Sequence, residues 1–199
     1  MSFVPSDHAP TVVFTIGHST RSLDELVEML RAHDVRRLVD VRTVPRSRHN
    51  PQFNRDTLGK ALRNRRLNYR HMKALGGLRR PRPDSPNSGW RNASFRGYAD
   101  YMGTEEFDEA LERLVELAEE KPTAIMCAEA VPWRCHRSMI ADALIARGYE
   151  VRDIMSATSA KPRTLNPMAK VEGKKITYPP VSQTGSSGPS LPRAVRGTR

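Results

Sequence analysis

This chain has little cysteine, few aromatic residues and no long apolar run. Of its 199 residues, 2 are cysteines and 6% are aromatic. Two cysteines cannot form the disulfide framework of a small secreted domain, so we expect reduced thiols and a cytoplasmic protein. No apolar run approaches the roughly 20 residues that span a bilayer, and the N-terminus lacks the charged start and apolar stretch of a secretory signal. We therefore expect no membrane partner.

Positive charge is abundant, but it is unevenly distributed. The formal net charge is +11, and residues 31–100 carry 18 Lys and Arg against 5 Asp and Glu. Residues 101–160 carry 6 against 12, whereas residues 161–199 carry 8 against 1. Basic segments of this kind attract polyanions, nucleic acid above all. A basic protein whose arginines only solvate its loops fits equally well, because no nucleic-acid-binding sequence motif accompanies the charge.

Strand and helix patterns alternate from the start of the chain. Residues 11–16 are apolar and β-branched, which is typical of a buried strand. Ser22 and Glu25 form the capping-box pattern of a helix start, and apolar helical spacing continues to about residue 32. Residues 37–42 have the pattern of a second strand. A strand, a helix and a strand in this order predict a βαβ unit with parallel strands.

The rest of the chain continues this alternation within a length that suits one domain. Further helices are predicted at about 54–64, 96–102, 104–120 and 135–147, and further strands at about 67–71, 122–127, 149–155 and 174–178. These elements indicate a single three-layer α/β domain over residues 11–178, with helices on both faces of a largely parallel sheet. Residues 1–10 are expected to be a flexible N-terminus, and residues 179–199 a disordered basic tail.

The densest group of reactive side chains lies between a predicted strand and a predicted helix. It comprises Cys127, Glu129, Arg134, Cys135, His136 and Arg137. Sites in α/β proteins commonly lie where strand ends meet helix starts. A helix start stabilises a thiolate or an anion, a carboxylate or imidazole could transfer a proton, and arginines could hold a phosphate or carboxylate. Alternatively, both cysteines are small buried apolar residues and Arg137 is a surface charge.

Three more specific interpretations of this segment are open. A phosphatase loop is weakly indicated, because Cys127 and Arg134 are seven positions apart with no glycine between them. A metal site could use Cys127, Cys135, His136 and His18, but cysteines eight positions apart are not the usual zinc-binding pair. A redox pair is sterically feasible, because the loop between the cysteines could close, although no sequence motif marks it. The cofactor is therefore left open, with a metal ion as one candidate.

The loop after the first strand is a second candidate. Gly17 permits a tight turn or the close approach of a ligand, and His18 and Ser19 offer a base and a hydroxyl. Alternatively, the hydroxyls of this loop merely cap the following helix. Because loops after neighbouring parallel strands converge at one edge of a sheet, we expect His18 to lie near the cysteine segment.

The loop after the second strand adds charge to the same edge. Asp40 and Arg42 end that strand and Arg46 follows, so the arginines could bind anionic groups. The alternative is a solvated basic loop in which an ion pair of Asp40 contributes little. The three loops are expected to form one cleft, and the long Gly- and Pro-rich segment 74–94 is a candidate cover for it.

These residues belong to short motifs that occur in the same order in the domain of unknown function 488 (DUF488) family. The motifs are Thr15-Ile16-Gly17-His18-Ser19, Asp40-Val41-Arg42 with Pro45 and Arg46-Ser47, Leu75-Gly76-Gly77, Tyr98-Ala99-Asp100-Tyr101-Met102, Cys127-Ala128-Glu129 and Cys135-His136-Arg137. The chain resembles this family over roughly residues 12–155. The resemblance implies which residues define the family, but it implies no particular reaction.

We therefore expect an enzyme that acts on an anionic, phosphate-bearing substrate, with nucleotides and nucleic acid among the candidates. The expected substrate-binding residues are Ser19, Asp40, Arg42, Arg46, Arg134 and Arg137. The expected catalytic residues are Cys127, as nucleophile or metal ligand, and Glu129, His18 and His136 for proton transfer. The alternatives are a non-catalytic nucleic-acid-binding module and a metal-binding protein. The reaction and the oligomeric state are not predicted.

Overall fold

The structure, a computed structural model, describes residues 11–180. The expectations for residues 1–10 and for the tail from residue 181 onward lie outside the described residues. The strands are β1 (Val12–Gly17), β2 (Arg37–Asp40), β3 (Asn68–His71), β4 (Thr123–Cys127), β5 (Glu150–Ser156), β6 (Ser159–Pro162), β7 (Lys170–Glu172) and β8 (Lys175–Thr177). The α-helices are α1 (Leu23–Ala32), α2 (Arg55–Asn64), α3 (Ala93–Tyr101), α4 (Glu105–Glu120) and α5 (Arg137–Ile145). None of the described helices is long and apolar enough to cross a membrane.

Local sequence explains where α1 and α4 begin. At the start of α1, the Ser22 hydroxyl accepts the Glu25 backbone N–H at 3.1 Å, and the Glu25 carboxylate accepts the Ser22 N–H at 2.6 Å. The predicted capping box is therefore confirmed. At the start of α4, the Thr104 hydroxyl accepts the Phe107 N–H at 3.3 Å, and three acidic residues in the first turn complement the helix dipole.

Six strands form one sheet in the order β3-β2-β4-β1-β5-β6. The first five strands are mutually parallel, and β6 pairs antiparallel with β5 at the edge. A separate hairpin of β7 and β8 holds the last predicted strand. The predicted largely parallel sheet is confirmed, whereas β6 and β7 were not predicted because both are short and largely exposed.

Two apolar cores cover the two faces of the sheet. Strand residues alternate between them, because successive side chains of a strand point to opposite faces. Leu38, Ala124 and Met126 pack in the core that includes α1 and α2. Val39, Ile125 and Cys127 pack in the core that includes α3, α4 and α5. The three-layer arrangement is therefore confirmed, and Cys127 faces the side of α5.

Two helix boundaries differ from the prediction. The Asn92 side chain accepts the N–H groups of Ser94 and Phe95, so α3 begins at Ala93 rather than at 96. A short 3-10 helix, Pro132–Arg134, precedes α5 and leaves Cys135 with an extended backbone, so α5 begins at Arg137. The expectation that Cys135 and His136 lie in the first turn of this helix was wrong, because the proline starts a separate turn that ends before them.

The topology places a crevice at the carboxyl ends of β2 and β4. The chain leaves β2 toward α2 on one face of the sheet and leaves β4 toward α5 on the other. The loops after these adjacent strands therefore diverge. Such a switch point in an open parallel sheet is where ligands usually bind.

Candidate functional site

A cleft of about 390 Å³ lies at this switch point. Its lining comes from the loops after β2 and β4, from the segment before α3 and from the start of α3. The lining residues are Arg42, Thr43, Val44, Gly77, Leu78, Ser94, Phe95, Cys127, Ala128, Glu129, Arg134, Cys135 and His136. The predicted convergence of the second and cysteine loops therefore holds, and part of segment 74–94 borders the cleft.

The loops after β1 and β4 run side by side in close contact. The His18 N–H donates to the Cys127 carbonyl at 3.0 Å, and the Ser19 N–H donates to the Ala128 carbonyl at 2.9 Å. A Cβ at Gly17 would collide with the backbone carbonyl of Glu129, so only glycine fits there. The β1 loop thus supports the cysteine loop from behind.

Arg42 is held rigidly in the floor of the cleft by Asp40. Its Nε and one terminal nitrogen donate to the two carboxylate oxygens of Asp40 at 2.9 and 2.6 Å. The Tyr69 hydroxyl also donates to Asp40, at 2.8 Å, and Arg42 donates to the Phe53 carbonyl at 2.7 Å. Asp40 is fully buried, so it orients Arg42 but cannot itself contact a substrate.

His18 lies behind Arg42 and completes this network. Its Nε2 is 3.1 Å from a terminal nitrogen of Arg42, and its Nδ1 is 2.9 Å from the Ser19 carbonyl. Since a carbonyl only accepts and a guanidinium only donates, Nδ1 carries the proton and Nε2 accepts. Burial lowers the pKa of His18 to about 4, so the ring is neutral at neutral pH. The ring stacks on Phe53 and positions Arg42.

Arg137 is a buried cation whose contacts include the sulfur of Cys127. One terminal nitrogen donates to Cys127 Sγ at 2.8 Å and to the Glu129 carbonyl at 2.6 Å, and the other donates to the Ala130 carbonyl at 3.0 Å. Burial lowers the pKa of Arg137 to about 10, which still leaves it charged at neutral pH. None of the ion pairs formed by residues 11–180 includes Arg137. Its charge therefore favours an anionic sulfur at Cys127.

Cys135 and His136 form the second half of the cleft floor. The structure joins the sulfur atoms of Cys127 and Cys135 as a disulfide, so a thiolate at Cys127 belongs to the reduced protein. The Cys135 sulfur is 3.6 Å from His136 Nδ1, while His136 Nε2 is 3.0 Å from the Val41 carbonyl. Burial lowers the pKa of His136 to about 4, so this ring is also neutral at neutral pH.

The entrance of the cleft mixes charge with apolar surface. Glu129 and Arg134 are exposed there, one with each sign of charge. Val44 and Leu78 are also exposed, at 61% and 72%, and Phe95 lies half-buried between them and the floor. A ligand with an anionic group and an apolar body would fit this entrance.

Comparison with known proteins identifies the family. The model of the domain of unknown function DUF488 matches residues 22–144, which is more than half of the chain. The chain belongs to the DUF488 family. It has no significant match among curated proteins and none among solved structures. The match begins at the cap of α1 and ends in α5, so it contains Asp40, Arg42, Cys127 and Arg137, while the loop of His18 lies before it.

Not every residue predicted for the site lines the cleft of this DUF488 protein. Cys127, Glu129, Arg134, His136 and Arg42 do. Arg137, Asp40, His18 and Ser19 do not line it, but each contacts a residue that does. Arg46 is exposed and does not line the cleft.

The structure of this DUF488 protein adds residues that the sequence did not indicate. Thr43, Val44, Leu78, Ser94 and Phe95 line the cleft, but none is ionisable and none stands out in the sequence. In the sequence, the Gly76-Gly77 pair was the one feature that could have indicated this part of the cleft. A Cβ at Gly77 would overlap the His136 ring, so this glycine makes room for the imidazole.

Metal binding was one of the open interpretations. Among residues 11–180, no group of three or more His, Cys, Asp and Glu side chains is arranged to hold a metal ion. His18 points to Arg42, while His136 donates to a backbone carbonyl through one nitrogen. The donor atoms of this DUF488 protein therefore pair with protein groups, and we do not carry the metal hypothesis further.

Proposed function

We propose that this DUF488 protein is an enzyme that acts on an anionic substrate, with Cys127 as the nucleophile. The observation that carries the proposal is the buried Arg137 guanidinium, which donates to the Cys127 sulfur at 2.8 Å. A charge removed from water at this depth requires a counter-charge. A Cys127 thiolate supplies it and is the reactive form of a cysteine.

The preference for an anion follows from the charges at the site. Arg42, Arg134 and Arg137 outnumber the carboxylates of Asp40 and Glu129 by one positive charge. Cys127 balances that charge while it is a thiolate. Once the sulfur forms a bond to a substrate, the balancing charge must come from the substrate itself. A phosphate or carboxylate next to the reacting atom supplies it, and the exposed Glu129 carboxylate at the entrance is placed to transfer protons.

Alkylation with two matched reagents tests this proposal. Iodoacetate and iodoacetamide react with the same thiolate, but only iodoacetate carries a negative charge. We expect the rate ratio of iodoacetate to iodoacetamide at Cys127 to be at least about tenfold higher than for a free small thiol, because the arginines attract the carboxylate. Inorganic phosphate should compete with iodoacetate. Peptide mapping of the reduced protein identifies the labelled cysteine.

Matched variants separate the two parts of the proposal. Arg134→Gln should lower the iodoacetate rate and leave the iodoacetamide rate nearly unchanged. Arg137→Gln should slow both reagents, because the thiolate loses its buried cation. A ratio equal to that of the free thiol would rule out the anion site, and labelling confined to Cys135 would rule out Cys127 as nucleophile.

A second candidate function, nucleic-acid binding, is favoured by a separate basic groove. This groove, of about 530 Å³, lies between α2 and the edge strand β3. Its lining residues are Arg55, Asp56, Gly59, Lys60, Arg63, Tyr69, Arg70 and His71. The four Lys and Arg side chains are exposed, and none of them appears in an ion pair among the described residues. A polynucleotide backbone would neutralise them.

Salt-dependent binding tests this second candidate. We expect single-stranded or duplex oligonucleotides to bind at low salt with an affinity that falls steeply as salt rises. The double variant Lys60→Glu/Arg63→Glu should reduce the affinity at least about tenfold. The control Lys170→Glu/Lys174→Glu makes the same charge change on the β7–β8 hairpin and should have a smaller effect. Equal losses of affinity in the two double variants would show that binding depends on net charge alone and not on this groove.

A further inference from the structure

The proposed function uses Cys127 and leaves its neighbour Cys135 without a role. Both cysteines line the cleft, and the structure joins them as a disulfide, which is the oxidised form of a dithiol. Their partners differ: the Arg137 guanidinium donates to Cys127, whereas Cys135 lies beside the His136 ring. One sulfur is therefore next to a cation and the other is next to a base.

His136 is oriented to take a proton from Cys135. The Val41 carbonyl, 3.0 Å from Nε2, accepts the ring N–H, so the lone pair of the neutral ring is on Nδ1. That atom faces the Cys135 sulfur at 3.6 Å. The ring cannot easily turn away, since Tyr98 packs against it and Gly77 leaves it just enough room.

We propose that Cys127 and Cys135 form a dithiol that reduces small anionic disulfides, with Cys127 as the attacking thiolate and Cys135 as the resolving thiol. The inference rests on the proposed function, because it uses the same thiolate and the same anion site. Dithiol oxidoreductases need this division of roles: one thiol that is ionised and one that ionises when it attacks.

Each step balances in atoms and electrons. The Cys127 thiolate attacks one sulfur of the substrate disulfide, whose S–S bond breaks, and the first substrate thiolate leaves. The Cys135 thiol then gives its proton to His136 Nδ1 and attacks the Cys127 sulfur. The Cys127–substrate bond breaks, and the second substrate thiolate takes the proton from His136. The substrate gains two electrons and the protein becomes a disulfide, which a thiol reductant of the cell converts back to the dithiol.

The shape of the site selects the substrate class. The sulfur atoms lie at the floor of the cleft, since Cys127 is 2% exposed and Cys135 is 4% exposed. A disulfide embedded in a folded protein could not reach them, whereas a small molecule could enter. Arg134 at the entrance suits a carboxylate, and the neighbouring Val44 and Leu78 suit an apolar body.

A chromogenic aromatic disulfide with one carboxylate on each ring, 5,5′-dithiobis(2-nitrobenzoate), tests the proposal directly. The fully reduced protein should release about two equivalents of the coloured thiolate and retain none, as shown by mass spectrometry. The Cys135→Ser variant should release about one equivalent of the coloured thiolate and keep the other half of the reagent bound to Cys127. Cys127→Ser should react at least about tenfold more slowly.

His136→Gln tests the role of the imidazole as the proton acceptor for Cys135. It should leave the first release nearly unchanged and slow the second, whereas the matched control His49→Gln, at an exposed position outside the cleft, should change neither. Circular dichroism confirms that each variant is folded. A second release that is as fast in His136→Gln as in the wild-type protein would overturn the role of His136.

The two proposals fail in different ways. If the wild-type protein stops at one equivalent with the probe bound to Cys127, Cys135 does not resolve, and the dithiol proposal is wrong while the nucleophile proposal stands. If Cys135 reacts first and Cys127 is inert to alkylation as well, both proposals are wrong.

Discussion

Arg42 and Arg137 both have buried guanidinium groups, but the structure surrounds them differently. Arg42 shares its charge with Asp40 in a two-bond ion pair, so it is neutralised before any ligand arrives. Arg137 donates instead to two backbone carbonyls and a sulfur. The same residue type therefore forms a closed ion pair in the floor of the cleft at one position, and at the other it is the cation that we propose activates a thiol.

A single methyl group at Gly17 should destabilise the site and the fold together. In Gly17→Ala, the new Cβ would collide with the Glu129 carbonyl, which is backbone and cannot rotate away. We expect the free energy of unfolding to fall by about 1–3 kcal/mol. The matched control is Gly103→Ala, where the nearest atom to a new Cβ is 3.5 Å away. Urea unfolding of both variants checks this, and equal stabilities would contradict it.

Two buried histidines should make the protein acid-sensitive. The folded pKa values of His18 and His136 are about 4, below the value of about 6.5 for an unfolded histidine. The unfolded chain therefore binds more protons between these two pH values, and folding stability falls as the pH drops through that window. We expect urea unfolding to show a loss on the order of a few kcal/mol between pH 7 and about pH 5.

Histidine variants show which residues cause this loss of stability at low pH. In His136→Gln the decline of stability with falling pH should be smaller, because one of the two groups no longer titrates. His49→Gln removes an exposed histidine and should leave the decline unchanged. An identical pH dependence in both variants would show that the buried imidazole does not cause it.

At the scale of the helices and strands, the sequence predicts those features that depend on residues close together along the chain. The capping box of α1 and the buried strands β1 and β4 follow from local patterns. The positions of Phe95 and Leu78 at the cleft could not be predicted from local patterns. They depend on how the chain before and at the start of α3 packs near the loop after β4. The start of α5 also escaped prediction, since a proline turn and a helix share the same local composition.

The hairpin of β7 and β8 stabilises α5 through its exit residue, Tyr178. The Tyr178 hydroxyl donates to the buried Asp142 carboxylate on α5 at 2.8 Å, and the Tyr178 backbone N–H donates to Asn87 at 2.8 Å. Burial raises the pKa of Asp142, so the carboxylate depends on its remaining donors. The C-terminal elements thereby fix the helix that carries Arg137.

Tyr178→Phe should therefore destabilise the protein by about 1–3 kcal/mol, because it removes the donor to Asp142 Oδ2 and leaves that buried carboxylate only the Asn166 N–H on Oδ1. Tyr149→Phe is the matched control: its hydroxyl donates to Glu119 at an exposed position, and we expect a loss of less than about 0.5 kcal/mol. Urea unfolding measures both. Adding Asp142→Asn to Tyr178→Phe should cost less than the sum of the single changes, and strict additivity would refute the coupling.

At the scale of the whole molecule, charge is separated along the fold. The basic groove lies at one edge of the sheet, between α2 and β3, whereas α4 carries many of the acidic residues. The cleft lies at the switch point, away from both edge strands of the sheet. The cleft and the basic groove share no lining residue, so the two proposed functions can be altered independently, which is what the matched variants require.

The net charge should limit the stability of the molecule at low salt. A chain with a formal charge of +11 repels itself, and salt screens that repulsion. We expect the Tm to rise when NaCl increases from about 20 to about 200 mM at pH 7. Near the sequence pI of about 10.2 the same increase should have little effect, because the net charge is small there. A Tm that falls with salt at pH 7 would mean that the ion pairs, such as that of Arg147 with Asp108, outweigh the repulsion.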